Sequence, residues 1–155
     1  MGNPVTAGYS LVVDVTLSTP SDAQDDNDVI ADTQEIKGVF RHPNARVMLD
    51  SIVLLDEGDQ ASETDLFFLG ADVSMGTEDA AISVTDANAR KILGAVNIPA
   101  SAYFDLINSQ VAVVRNIGLM MQGETTSLWI AAVTRGTPTY GATDAVKLKL
   151  GFTLY

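Results

Sequence analysis

Cysteine is absent from this chain, histidine and tryptophan occur once each, and basic residues are outnumbered by acidic ones, 9 to 20. Each scarcity removes a class of function. Without cysteine no disulfide holds the fold, and the redox compartment is left open. One histidine with no cysteine is too few ligands for a zinc site of the usual kinds. The formal net charge of -11 opposes general binding to nucleic acid or to anionic membranes, since both rest on clustered lysine and arginine. Aromatic residues make up 6% of the chain, which leaves few platforms for stacking sugar rings and weakens both glycosidase and lectin functions. No apolar run approaches the roughly 18 residues of a membrane-spanning helix. The opening MGNPVTAGYS has neither the basic nor the apolar region of a secretory signal, so synthesis in the cytoplasm is expected. Met1, Gly2 and Thr6 fit the myristoylation pattern, but no polybasic second signal follows, and one acyl chain anchors weakly.

Catalytic and phosphate-binding patterns are missing too. Neither G-x-x-x-x-G-K-[ST] nor G-x-G-x-x-G occurs, so no glycine-rich cradle for phosphate is written into the chain. His42 stands in RHPN, and there is no G-x-S-x-G to supply a serine for it to activate; it reads as a turn residue. Carboxylates are plentiful, and two acidic side chains can hold calcium or do acid-base work. DAQDDND (Asp22, Asp25, Asp26, Asp28) spaces oxygens like a calcium loop but lacks the turn glycine, and Thr33 stands where the closing glutamate belongs. DEGDQASETD (Asp56, Glu57, Asp59, Glu63, Asp65) carries its glycine too early. For both stretches an irregular calcium site stands as the alternative to solvated loop charge that blunts sheet edges. No catalytic, cofactor-binding or metal residue is assigned, and the chain is expected not to be an enzyme.

What is present is period-2 alternation. With 155 residues, 46% of them hydrophobic, the chain suits one core, so a single domain over residues 1–155 is expected. YSLVVDVTL places Tyr9, Leu11, Val13, Val15 and Leu17 on one side, and VKLKLGFTLY does the same with Val146, Leu148, Leu150, Phe152 and Leu154. In RVMLDSIVLLD the odd positions Val47, Leu49, Val53 and Leu55 are expected to share one face. VIADTQEIKGVF, DLFFLGADVSM, GAVNI, AYFDLI and QVAVVRNIGLMM read as further strands. Around Trp129 both parities are apolar, which points to a strand covered on both sides. Only TDANARKIL suggests a helix, about two turns, capped by Thr85 or Asp86 with Ala89, Ile92 and Leu93 on one face. Leu119, Met120 and Met121 are adjacent, so at least one is expected to leave the core side. Charge is divided along the chain: residues 1–86 hold 17 acidic and 3 basic side chains, residues 87–155 hold 3 and 6.

The succession SIVLLDEGDQASETDLFFL, SVTDANARKILGAVNI, VRNIGLMM and LWIAAVTRGTPTYGATDAVKLKLGF resembles small virion structural proteins of tailed bacteriophages, in particular head decoration or cement proteins. The likeness covers roughly residues 46–155. It implies an all-β, jelly-roll-like antiparallel β-sandwich, here with one short helix, that assembles as a homotrimer on the capsid exterior. There it clamps neighbouring subunits of the major capsid protein. The shell-contact residues are not specified by the likeness; Gly2 to Gly8, a candidate N-terminal arm within residues 1–8, and the Met120 region are the stretches to test. A carbohydrate-binding β-sandwich module, with or without calcium, is the alternative.

Overall fold

The computed structural model describes residues 9–155, so the candidate arm at residues 1–8 lies outside the described residues. Ten strands carry the fold: β1 Tyr9–Leu17, β2 Val29–Ile36, β3 Arg46–Asp56, β4 Thr64–Leu69, β5 Ile92–Ile98, β6 Tyr103–Asp105, β7 Gln110–Val114, β8 Leu119–Gln122, β9 Leu128–Thr134 and β10 Val146–Leu154. They form two sheets whose strands all pair antiparallel. One runs β1-β10-β3-β7-β6, with β8 continuing beyond β7 along the same side of β3; the other runs β2-β9-β4-β5. The chain crosses repeatedly between the sheets, and the first and last strands lie side by side. This strand order is that of a jelly roll, two Greek keys packed face to face.

Alternation dictates the packing. Val146, Leu148, Leu150 and Phe152 of β10 point into the core, while Lys147 and Lys149 stand on the outer face. β10 pairs with β1 on one side and β3 on the other, so its backbone groups are satisfied along both edges. β9 is apolar on both parities for a different reason. Ile130 and Ala132 face the core, whereas Ala131 and Trp129 pack against Leu69, Met75, Val73, Ile82 and Val84. Most of these belong to the segment between β4 and β5, which folds back over the outer face of the second sheet.

Two expectations are corrected. Val53 and Leu55 do not share the face of Val47 and Leu49: the buried set in β3 is Val47, Leu49, Ile52 and Leu54. The cause is a β-bulge. Ser51 lies opposite Gly151 but Leu49 lies opposite Phe152, so Asp50 is an extra residue and the parity reverses across it. Asp50 is held in place, its carbonyl accepting from Ile117 N at 3.1 Å and its carboxylate from the Thr153 hydroxyl. Gly151 leaves room there for the Ser51 hydroxyl, which a Cβ would meet at 2.4 Å unless the serine changed rotamer. The second correction concerns the helix, α1, which is a single turn, Asp86–Ala89, with Thr85 Oγ1 accepting from Asn88 N as its cap. Ile92 pairs with Leu69 and opens β5 instead of continuing the helix; a β-branched residue fits a half-buried sheet position well.

Candidate functional site

At the end of the sandwich where β3 passes into β4, Asp56 is 1% exposed and bonded on both carboxylate oxygens. Oδ1 accepts from Gly58 N at 2.9 Å, and Oδ2 accepts from Gln60 N at 2.8 Å and Ala61 N at 2.9 Å. Asp59 and Ala61 both adopt positive φ, 55° and 48°, a conformation that non-glycine residues hold only when their surroundings over-determine it. Asp56 is therefore a loop anchor. The sequence carries a trace of this role in the spacing Asp56-x-Gly58, an aspartate bonding its own backbone two residues on.

Around the anchor lies a layer of polar side chains. The Tyr103 hydroxyl donates to Ser62 O at 2.9 Å, Thr64 Oγ1 donates to the same carbonyl at 3.0 Å, and Ser62 Oγ and Thr134 Oγ1 are 2.9 Å apart. Burial holds the phenols of Tyr103 and Tyr140 well above their ordinary value of 10.0, and the nearby Asp56 charge adds to the effect. Ser62 meets another hydroxyl and not a base, so no nucleophile is activated. The layer fills the end of the sandwich. It has a consequence for pH: the folded state binds these phenolic protons more tightly than the unfolded state, so their contribution is complete below pH 10.0 and is lost as pH rises beyond it. The melting temperature should fall above that pH, and a Tyr103→Phe/Tyr140→Phe chain should show a shallower fall. Identical slopes in the two proteins would assign alkaline unfolding to other groups.

Beside this layer an open polar cleft of about 300 Å³ is lined by Gln60, Ser62, Glu63, Arg135 and Pro138, with no aromatic side chain in its wall. Arg135 is committed inside the chain, donating from Nε to Asp65 Oδ2 at 2.7 Å and from Nη1 to Asn27 Oδ1. The two acidic stretches meet at Arg135, but their carboxylates do not gather into one cluster. Asp28 accepts from Asp25 N at 2.8 Å, Asp65 meets Arg135 and Asn97, and among the described residues no three acidic or histidine side chains gather as a metal set. His42 is exposed in the turn before β3, its Nδ1 2.9 Å from the carbonyl of Pro43.

The bulge creates the most distinctive surface. On the outer face of the first sheet the strand register places Phe104 beside Val111, Val111 beside Leu55, and Val113 beside Val53. Such a face normally alternates to polar residues; here five apolar side chains form one patch, with Phe104 63% and Val113 39% exposed. Leu106 and Ile107 extend it at the tip of the β6–β7 hairpin, Ile107 being 82% exposed with φ of 77°. On its rim two lysines are paired within the chain, Lys147 with Glu57 at 2.8 Å and Lys149 with Asp14 at 2.7 Å. Sequence alternation alone missed this patch because it assigned Val53 and Leu55 to the core. Met120, 43% exposed, leaves the core side as expected, between half-buried Leu119 and buried Met121.

The jelly-roll strand order defines the class of the chain as an all-β antiparallel sandwich, with this patch on its outer face. No protein-family model matches the chain, and no curated protein sequence does. Among solved structures it is similar to that of Tomato aspermy virus, at 9% identity over 99% of this chain and 80% of the other, with a TM-score of 0.44. It is also similar to Desmodium yellow mottle tymovirus, at 10% identity, 99% and 89% coverage and a TM-score of 0.34. A third is the K3 cleaved adhesin domain of Lys-gingipain from Porphyromonas gingivalis W83, at 10% identity, 96% and 72% coverage and a TM-score of 0.33. Similarities this low carry no functional weight, and the fold assignment rests on the strand order itself.

Proposed function

We propose that the chain is a non-enzymatic virion structural protein, a decoration or cement protein of a tailed bacteriophage that binds the capsid exterior and stabilises the shell. The observation that carries this reading is the outward apolar patch of Val53, Leu55, Phe104, Val111 and Val113. A large apolar patch with a polar rim is characteristic of a docking surface. Lys147 and Lys149 at its rim are already paired, so covering the patch strands neither of them as a lone charge. The resemblance of residues 46–155 to decoration proteins supplies the partner, the major capsid protein, and the homotrimeric arrangement. Binding only to the assembled shell stabilises it by mass action, and three linked copies multiply the effect.

Co-sedimentation with shells that lack the protein tests this. Val113→Asp with Phe104→Asp should weaken shell binding at least tenfold, because it desolvates charge in the contact, while the melting temperature changes little at these exposed positions. Undiminished binding would remove the patch from the account, and no binding by the wild-type chain to any shell would remove the decoration role.

A carbohydrate-binding module is the second reading, favoured by the open polar cleft beside Arg135 and Glu63. Its wall offers hydrogen-bond partners and no stacking platform. Glycan binding abolished by Glu63→Ala, or a melting temperature lowered by chelator, would favour it over the shell.

A further inference from the structure

β1 is an edge strand. β10 pairs with it in unbroken register from Tyr9 opposite Leu154 to Leu17 opposite Val146, and on its other side no strand of the described residues pairs with it. The direction of its free backbone groups follows from one side chain. Gln34 of β2 reaches over with its amide, Oε1 accepting from Ser18 N at 2.8 Å and Nε2 donating to Thr16 O at 3.1 Å. In an antiparallel ladder the N–H and C=O of one residue point to the same side, and the side alternates along the strand. Thr16 therefore faces outward with the other even-numbered residues, and Ser10, Val12 and Asp14 present their N–H and C=O groups to the open edge. The Gln34 amide stands in for a neighbouring strand at the last position only.

The usual protections of an edge are missing over this stretch: no proline, no bulge, and no short strand. The one charge, Asp14, is tied to Lys149 at 2.7 Å on the outer face. Val12, whose side chain lies at the middle of the stretch, is 67% exposed.

We infer that this edge pairs with the same edge of a second copy of the chain, antiparallel about a two-fold axis through Val12. Three features of the edge select a copy of itself. Hydrogen-bonded pairing requires an outward residue opposite an outward residue, and centring on Val12 sets even against even throughout: Ser10 against Asp14 of the other copy, Val12 against Val12, Asp14 against Ser10. No aspartate then meets an aspartate, so a chain with net charge -11 brings a hydroxyl, not a like charge, against each carboxylate. The overlap runs from Tyr9 to Val15 and stops where the Gln34 clamp begins. Half-buried Leu11 and Val13 come together across the inner face, and the two Val12 side chains cover each other on the outer one. The contact has two-fold symmetry and joins two chains, whether each is alone or already part of a ring, and it does not use the Phe104 patch.

The absence of native cysteine makes the register directly measurable on the purified chain without any shell. Cα atoms of a hydrogen-bonded antiparallel pair lie about 5.5 Å apart, within the disulfide range of roughly 4.4–6.8 Å. Val12→Cys should form a disulfide-linked dimer under mild oxidation. Ser10→Cys and Asp14→Cys should cross-link to each other when mixed, and each far less with itself. Proline at an edge position whose N–H faces solvent leaves the chain's own ladder intact, so Val12→Pro should fold with wild-type circular dichroism and halve the mass of the largest species in sedimentation equilibrium. Unchanged mass in Val12→Pro together with no Val12→Cys dimer would overturn the inference. So would cross-linking of Ser10→Cys to itself in preference to Asp14→Cys. Because no shell is present, either failure leaves the decoration reading untouched.

Discussion

Asp56→Ala is expected to lower the stability of the fold by about 3–5 kcal/mol, measured by urea denaturation. The carboxylate is buried and accepts three backbone N–H bonds from Gly58, Gln60 and Ala61. Bonds to a charged acceptor are each worth about 1.5–3 kcal/mol and do not add fully. Alanine would leave three donors in a loop that water reaches only in part, and would release the positive φ of Asp59 and Ala61. Asp56→Asn keeps one strong acceptor oxygen and should retain about half of the stability lost in Asp56→Ala. A loss below about 1 kcal/mol in Asp56→Ala would mean that solvent satisfies the loop, and that the anchor contributes little.

Gly123→Ala is expected to cost about 3 kcal/mol, toward the upper end of overpacking effects. A Cβ at this position would stand 2.4 Å from Cδ2 and 2.5 Å from Cε2 of Phe40, whose ring is 1% exposed. Neither partner is free to retreat. Gly123 N donates to Ala45 O at 3.1 Å, Gly123 O accepts from Asn44 N at 2.8 Å, and Phe40 N donates to Thr126 O at 3.1 Å. Phe40→Leu alone should destabilise the chain, yet in the Gly123→Ala background it should recover at least about 1 kcal/mol, a favourable coupling in a double-mutant cycle. Additive losses in that cycle would place the cost of Gly123→Ala in the backbone and not in the ring contact.

Most strands were legible in the sequence because period-2 alternation is a local property that burial of one face imposes directly. Tyr9–Leu17 and Arg46–Asp56 have the boundaries their patterns suggest, and Val146–Leu154 ends one residue before the pattern does at Tyr155. The doubly apolar run at Trp129 correctly marked a strand covered on both sides, since composition records how many faces are buried even when it does not say by what. Composition also excludes a cysteine-based site, because the sequence holds no cysteine.

The partner of each strand and the outward face of β3 were decided by tertiary structure. The bulge at Asp50 forms in the pairing with β10, from a distant part of the sequence, and that one extra residue turns Val53 and Leu55 from core side chains into part of an outward apolar patch. The predicted second helical turn yielded to strand pairing of Ile92 with Leu69 for the same reason: a non-local ladder outweighs a marginal local helix. The open edge of β1 is likewise a property of topology, since nothing in YSLVVDVTL distinguishes a strand with two neighbours from a strand with one. Periodicity fixes how a segment alternates because it depends only on adjacent residues; face, neighbour and edge depend on residues that meet only when the chain has folded.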